Sequence, residues 1–154
     1  MKQKIINDIV DKFKDLKNPD YSFINSKNLI YEDILKDFRL LNFKVEIDTD
    51  LNYMLCEYYY LSKGKKLYSL LLSFVGLYAL IIKRNRNNYQ IVTKENYENS
   101  QEREILNILG KYKLIPLNKE ILEERIDFTP NHEVDYDEPI IYNLLFCEDI
   151  PPWQ

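Results

Sequence analysis

A chain of 154 residues with 45% apolar and 30% charged side chains has the composition of one folded soluble domain, long enough to bury a core without metal or disulfide support. Its net charge of −4 argues against general nucleic-acid affinity, and its three glycines, Gly64, Gly76 and Gly110, exclude a glycine-rich phosphate loop. Thirteen Tyr against the single Ala79, with abundant Lys, Asn and Ile, point to an AT-rich genome and supply many rings with a polar tip.

Ile5, Ile6, Ile9, Val10, Phe13 and Leu16 recur at helical spacing with Asp8, Asp11, Lys12 and Asp15 between them. The pattern predicts an amphipathic helix that ends before Pro19. Its mixing of charge with apolar residues is unlike the hydrophobic region of a secretory signal, so a cytoplasmic protein is expected. Tyr31 to Leu41 repeats the period through Ile34, Leu35, Phe38 and Leu41, with Asn42 as a C-terminal stop. The period then falls to two: Phe43, Val45 and Ile47 alternate with Lys44, Glu46 and Asp48, which predicts a half-exposed strand.

A meander follows. Tyr53 to Leu61 reads as a strand, SKGK as a turn and Lys66 to Val75 as a second strand; Leu77 to Lys83 is a third, RNRNN a turn and Tyr89 to Thr93 a fourth. Gly and Asn are expected to supply the positive φ values of the tight hairpins. The uncharged run Leu67 to Ile82 decides between a membrane span and a buried sheet. It is shorter than the roughly 20 apolar residues of a spanning helix and is interrupted by Ser69, Ser73 and Gly76. Cations flank it on both sides: Lys63, Lys65 and Lys66 before, Lys83, Arg84 and Arg86 after. Two buried strands bent at Gly76 are therefore expected, with no membrane contact. Their sheet should be covered by helices on one side and by chain or a partner on the other.

Asn99 or Ser100 caps the next helix, with Glu102 and Glu104 in its first turn, Ile105, Leu106, Ile108 and Leu109 as its apolar face, and Gly110 as its αL stop. Pro116 and Asn118 open a short helix through Glu124, Asp127 to Pro139 reads as a polar acidic loop, and Pro139 to Cys147 is a last apolar run. The expected fold is a single α+β domain over residues 1–154, a central antiparallel β-meander packed with several α-helices.

Catalytic chemistry finds little support. His132, the one histidine, lies in NHEVDYDEP beside Glu133, Asp135, Asp137 and Glu138. The spacing lacks the glycine of a calcium loop and the further His or Cys of a zinc site, and no serine lies downstream for an imidazole to activate. No cofactor and no catalytic residue is expected, with a metal-assisted hydrolase using His132 as the enzymatic alternative. Cys56 and Cys147 each sit within an apolar run and read as buried thiols. Alternate turns of a meander share an end of the sheet, so Lys63 to Lys66 and Lys83 to Arg86 would gather six cations at one pole. Solvated turns that block edge pairing are one reading of that pole, and an anion contact is the other. The sole tryptophan, Trp153, beyond Pro151 and Pro152, either packs back on the domain or anchors a partner.

From Tyr68 to Trp153 the chain runs through SFVGLYALI, a capped helix, IPLNKEILEERI and a closing IIYNLLFCEDIPPW, in which Tyr142-Asn143-Leu144-Leu145-Phe146 precedes Asp149 and Pro151-Pro152-Trp153. This layout resembles that of small cytoplasmic immunity-type proteins, encoded beside bacterial polymorphic or contact-dependent toxins. The resemblance implies a bacterial α+β protein that binds and neutralises a cognate protein toxin and performs no chemistry itself. An acidic inhibitor suits a basic toxin such as a nuclease, whose cleft carboxylates from Glu120 to Glu138 would occlude. Glu133, Asp135, Asp137, Glu138 and Trp153 are the expected partner-binding residues. A regulatory or assembly module without a toxin partner is the alternative.

Overall fold

The computed structural model describes residues 1–15, 18–25, 29–52, 54–126 and 139–154. Along them run α1 (Lys2–Phe13), a short 3-10 turn (Ser22–Asn25), α2 (Leu29–Leu40), β1 (Lys44–Ile47), β2 (Cys56–Lys63), β3 (Lys66–Ser73), β4 (Tyr78–Asn85), β5 (Asn88–Ile91), α3 (Ser100–Lys111), β6 (Ile115–Pro116), α4 (Lys119–Leu122) and α5 (Ile141–Leu145). The strands form one sheet in the order β1-β2-β3-β4-β5, antiparallel throughout, and β6 adds to β4 in parallel. The fold is α+β, built on the expected meander. No helix among the described residues is long and apolar enough to cross a membrane.

The turns show why the chain reverses where it does. Lys63 pairs with Lys66 across a two-residue loop whose first residue, Gly64, has φ +64°. Asn85 pairs with Asn88 in the same way, and there the left-handed position falls on Arg86, at φ 48°, and not on an asparagine. A two-residue loop sets its first central residue in that region whatever the side chain. Between β3 and β4, Gly76 admits a close approach: a Cβ there would lie 2.7 Å from the Tyr78 ring and 3.3 Å from Asp8 Oδ2.

Side-chain alternation sorts the strands into two faces. Tyr59, Leu61, Tyr68, Leu70, Leu72, Ala79 and Ile81 pack against α2 and α3 through Ile34, Phe38, Ile105 and Leu109. Cys56, Leu71, Tyr78, Leu80 and Ile82 pack against α1 and α5 through Ile5, Ile9, Phe13, Leu144 and Leu145. Helices therefore lie on both sides, where the sequence pattern suggested one, and this double cover explains the near-continuous apolar run through β3 and β4. Each fully buried Leu or Ile there contributes about 1.5–3 kcal/mol of transfer free energy.

Helix ends differ from expectation where tertiary packing sets them. Asn42 stops α2 at φ 65°, as expected, and Asn99 and Asn118 cap α3 and α4 by accepting from the backbone N–H of Glu102 and Ile121. α1, however, stops at Phe13 with Lys14 at φ 63°, and Leu16 lies outside the described residues, as does Tyr53. α3 runs through Gly110; its left-handed residue is Lys113, at φ 61°, followed by Leu114, whose N–H bonds back to the Leu109 carbonyl at 3.0 Å. Both leucines are buried, so an apolar contact and not a glycine ends this helix. Pro116 belongs to β6 and not to the opening of α4.

Candidate functional site

Asn143, buried in α5, shapes the end of the chain. Its side chain accepts from the Ile140 N–H at 3.1 Å and donates to the carbonyls of Cys147 at 3.2 Å and Asp149 at 3.1 Å. A buried amide satisfied this way holds one path for the segment behind it, because leaving any of these groups unpaired costs about 1–3 kcal/mol. That path brings the Trp153 ring edge-on to Tyr142, with centroids 5.1 Å apart, and the indole N–H donates to Glu123 at 3.0 Å. Trp153 thus packs back on the fold. It stays half-exposed and walls a surface groove of about 430 Å³ together with Tyr89, Ile91, Asn96, Asn118 and Lys119.

Tyr89 links this groove to a corner of the sheet that α1 and α5 leave uncovered. Cys56, Leu71 and Leu80 are buried on this face, whereas Tyr58, Tyr60 and Arg84 are half-buried and Tyr89 is 42% exposed. Arg84 donates from Nε to Ser69 Oγ at 3.0 Å and from Nη2 to the Tyr58 hydroxyl at 2.9 Å, which in turn donates to Ser69 Oγ at 2.9 Å. Its guanidinium carbon lies 4.8 Å from the Tyr60 ring centroid and 5.9 Å from that of Tyr89, its cross-strand partner. Burial works against the charge on Arg84, but the hydroxyls of Tyr58 and Tyr60 outweigh it. Burial first, and then Tyr58, push the Tyr60 hydroxyl up to about 12, so it stays neutral. Each cation–π contact of this kind is worth about 0.5–2 kcal/mol according to its desolvation.

The shared pole of cations exists, since the turns at 63–66 and 85–88 lie at one end of the sheet. Carboxylates from α3 and the residues before it occupy much of it. Lys63 pairs with Glu104 at 3.0 Å; Lys83 pairs with Glu98 at 3.2 Å and Glu102 at 3.4 Å. Glu102 is buried and also accepts from the Tyr68 hydroxyl at 3.0 Å. Lys65, Lys66 and Arg86 remain exposed on the loops.

Of the expected partner-binding residues, Trp153 is placed as above; Glu133, Asp135, Asp137 and Glu138, with His132, lie outside the described residues. In the neighbouring acidic stretch, Glu123 holds Trp153 and Glu124 pairs with Lys2 at 2.9 Å, while Glu120 lines the groove. Among the described residues no group of three or more His, Cys, Asp and Glu is arranged to hold a metal. Cys56 and Cys147 are buried free thiols, pushed up by that burial. The Tyr58, Tyr60, Arg84 and Tyr89 corner escaped the sequence reading, because only the strand register shows these four to be neighbours. Compared with protein-family models, with curated proteins and with solved structures, the chain matches none.

Proposed function

We propose that this chain is an immunity-type binding protein that neutralises a cognate bacterial toxin in the cytoplasm by covering its active site, and that it acts by contact and not by chemistry. The observation that supports this reading is the half-buried corner of Tyr58, Tyr60, Arg84 and Tyr89, which continues through Tyr89 into the groove beside Trp153. Tyr, Trp and Arg are the side chains in which binding energy concentrates. Rings already held by packing lose little further freedom on association. Inhibition of this kind takes a total interface of roughly 1,600 Å², so the contact extends beyond the corner. The acidic residues Glu133, Asp135, Asp137 and Glu138 would supply the long-range attraction toward a basic toxin such as a nuclease.

Co-expression with the protein encoded immediately upstream, in a host which that protein kills, tests the proposal. Rescue of growth together with a stable complex is the expected outcome. Unchanged killing in the presence of excess soluble, folded chain would overturn it. Converting the four acidic residues to Asn or Gln should slow association and flatten its salt dependence, since rim charges act mainly on the on-rate. A second reading, an assembly module with no toxin partner, draws on an apolar groove of about 360 Å³ between α2 and α3, where Leu40 is 79% exposed. Leu40→Glu should abolish any complex made through that groove and leave toxin neutralisation intact.

A further inference from the structure

The charge on Arg84 is the unbalanced feature of the aromatic corner. Lys4, Lys63, Lys83 and Lys111 each have a carboxylate within 3.4 Å. Arg84, half-buried among them in the same fold, forms no ion pair among the described residues. Its partners are neutral: the hydroxyls of Ser69, Tyr58 and Tyr60, and two ring faces. A guanidinium has five N–H donors in a planar fork, so at least two remain after these three hydroxyls. Bonds from Nε and Nη2 leave the fork fixed in direction, which removes most of the ordering cost of a further bidentate contact. Asp48 reaches this corner through the Tyr60 hydroxyl and forms no ion pair with Arg84; a partly desolvated cation with a fixed orientation and no ion-pair partner attracts an anion more strongly than an exposed one does.

The surroundings select which anion. The rings of Tyr60 and Tyr89 border the guanidinium with apolar surface. Lys63 and Lys83 are committed to Glu104, Glu98 and Glu102, and the exposed Lys65, Lys66 and Arg86 sit out on the loops, so the cation held among the rings of this corner is Arg84, on a chain of net charge −4. We propose that Arg84, held between Tyr60 and Tyr89, is the receptor for a single carboxylate that the bound protein presents at its interface, an Asp or Glu flanked by apolar side chains. This rests on the reading of the chain as a binding protein and adds the chemistry of the partner's contact point. The acidic residues 133–138 would then draw the partner in by its overall basic charge, while Arg84 reads one acidic residue at close range.

A phage-displayed library of random short peptides, selected against the whole chain, tests the proposal without a known partner. The enriched peptides should share an Asp or Glu beside an aromatic or aliphatic residue. Replacing that acid by its amide in the synthetic peptide should weaken binding about tenfold or more, the loss expected for one charge-assisted bidentate contact. Arg84→Gln should give the same loss, and Arg84→Lys most of it, because an ammonium cannot bridge Ser69 and Tyr58 and still present a fork. The two changes combined should cost no more than either alone. Far-UV circular dichroism and Trp153 fluorescence confirm that the variants fold. Enriched peptides lacking a carboxylate, peptides that bind Arg84→Gln as well as the parent, or no enrichment at all would overturn the assignment. So would binding of a single-stranded oligonucleotide that depends on Arg84 while no acidic peptide is enriched. Growth rescue by Arg84→Gln with peptide binding indifferent to Arg84 removes the receptor and leaves the toxin reading. Arg84-dependent peptide binding with no rescue by the parent chain does the reverse.

Discussion

Glu102 offers the sharpest test of how the sheet and α3 are held together. It is a carboxylate with 1% exposure that accepts from the Tyr68 hydroxyl at 3.0 Å and from the Glu98 N–H at 3.3 Å, is bonded by the Asn99 amide, and pairs with Lys83 at 3.4 Å. Glu102→Gln keeps the volume and an acceptor for Tyr68, and it leaves the Asn99 cap intact because that bond uses the Glu102 backbone. What it removes is the charge facing Lys83, whose side chain is 13% exposed, together with the acceptor for the Glu98 N–H, since an amide has one oxygen. Removing one partner of a buried ion pair costs about 3–5 kcal/mol. Lys83 keeps Glu98 at 3.2 Å, a side chain 58% exposed and therefore well screened. The expected cost falls to about 1.5–2.5 kcal/mol, equivalent to a Tm lower by about 3–10 °C for a domain of this size. Glu102→Leu, which also strips the Tyr68 hydroxyl of its acceptor, should cost about 3–4 kcal/mol. Urea melts followed by circular dichroism and by Trp153 fluorescence measure both. A double-mutant cycle with Lys83→Met should return a coupling of about 1–2 kcal/mol. Glu102→Gln with parental stability, or a coupling near zero, would show the network to be ornamental and refute the reasoning.

Three further outcomes follow from other parts of the fold. Gly76→Ala forces a Cβ to within 2.7 Å of the buried Tyr78 ring, so it should cost about 1–3 kcal/mol; an unchanged urea midpoint would mean that the β3–β4 connection yields freely. Burial lifts the Asp8 carboxyl, but the Tyr78 hydroxyl and Lys4 outweigh it and hold it below its ordinary value. Its contribution is therefore present above the unfolded value of about 4 and is lost as pH falls through the lower folded value. Asp8→Asn should cost about 0.5–1 kcal/mol at neutral pH, discounted for a side chain 34% exposed, and nothing below the folded value; parallel stability curves for the two proteins would contradict this. Burial raises both thiols, so Cys56 and Cys147 should react with a disulfide reagent only at the rate of global unfolding, and fast labelling without denaturant would argue against it.

The parts of the fold legible in the sequence are those set by nearest neighbours. Strand alternation and short turns located β1 to β5, because side-chain direction and hairpin closure are local properties. The caps at Asn42, Asn99 and Asn118 were readable for the same reason, since a side chain there meets its own backbone within three residues or takes up the αL conformation. Gly110 misled because the end of α3 is set by Leu114 packing with Leu109, a contact that composition does not announce. The last apolar run hid α5, whose five residues are too few to display a helical period and which depends on Asn143 for its geometry.

The candidate site was less legible, and Lys83 with Arg84 shows why. Adjacent in β4 and alike in charge, they read in sequence as one basic cluster. A strand sends consecutive side chains to opposite faces. Lys83 therefore meets Glu98 and Glu102 on the face covered by α3, whereas Arg84 meets Tyr58, Tyr60 and Tyr89 on the open corner. One cation is neutralised inside the fold and the other keeps its charge, a division that turns on register and not on residue type. Net charge is blind to it for the same reason. The −4 of the chain sums over carboxylates already spent on Lys63 and Lys83, so the charge the surface presents is what remains after the strands have paired. At the aromatic corner the cation left without an ion pair among the described residues is Arg84, with the Asp48 side chain held on the Tyr60 hydroxyl beside it.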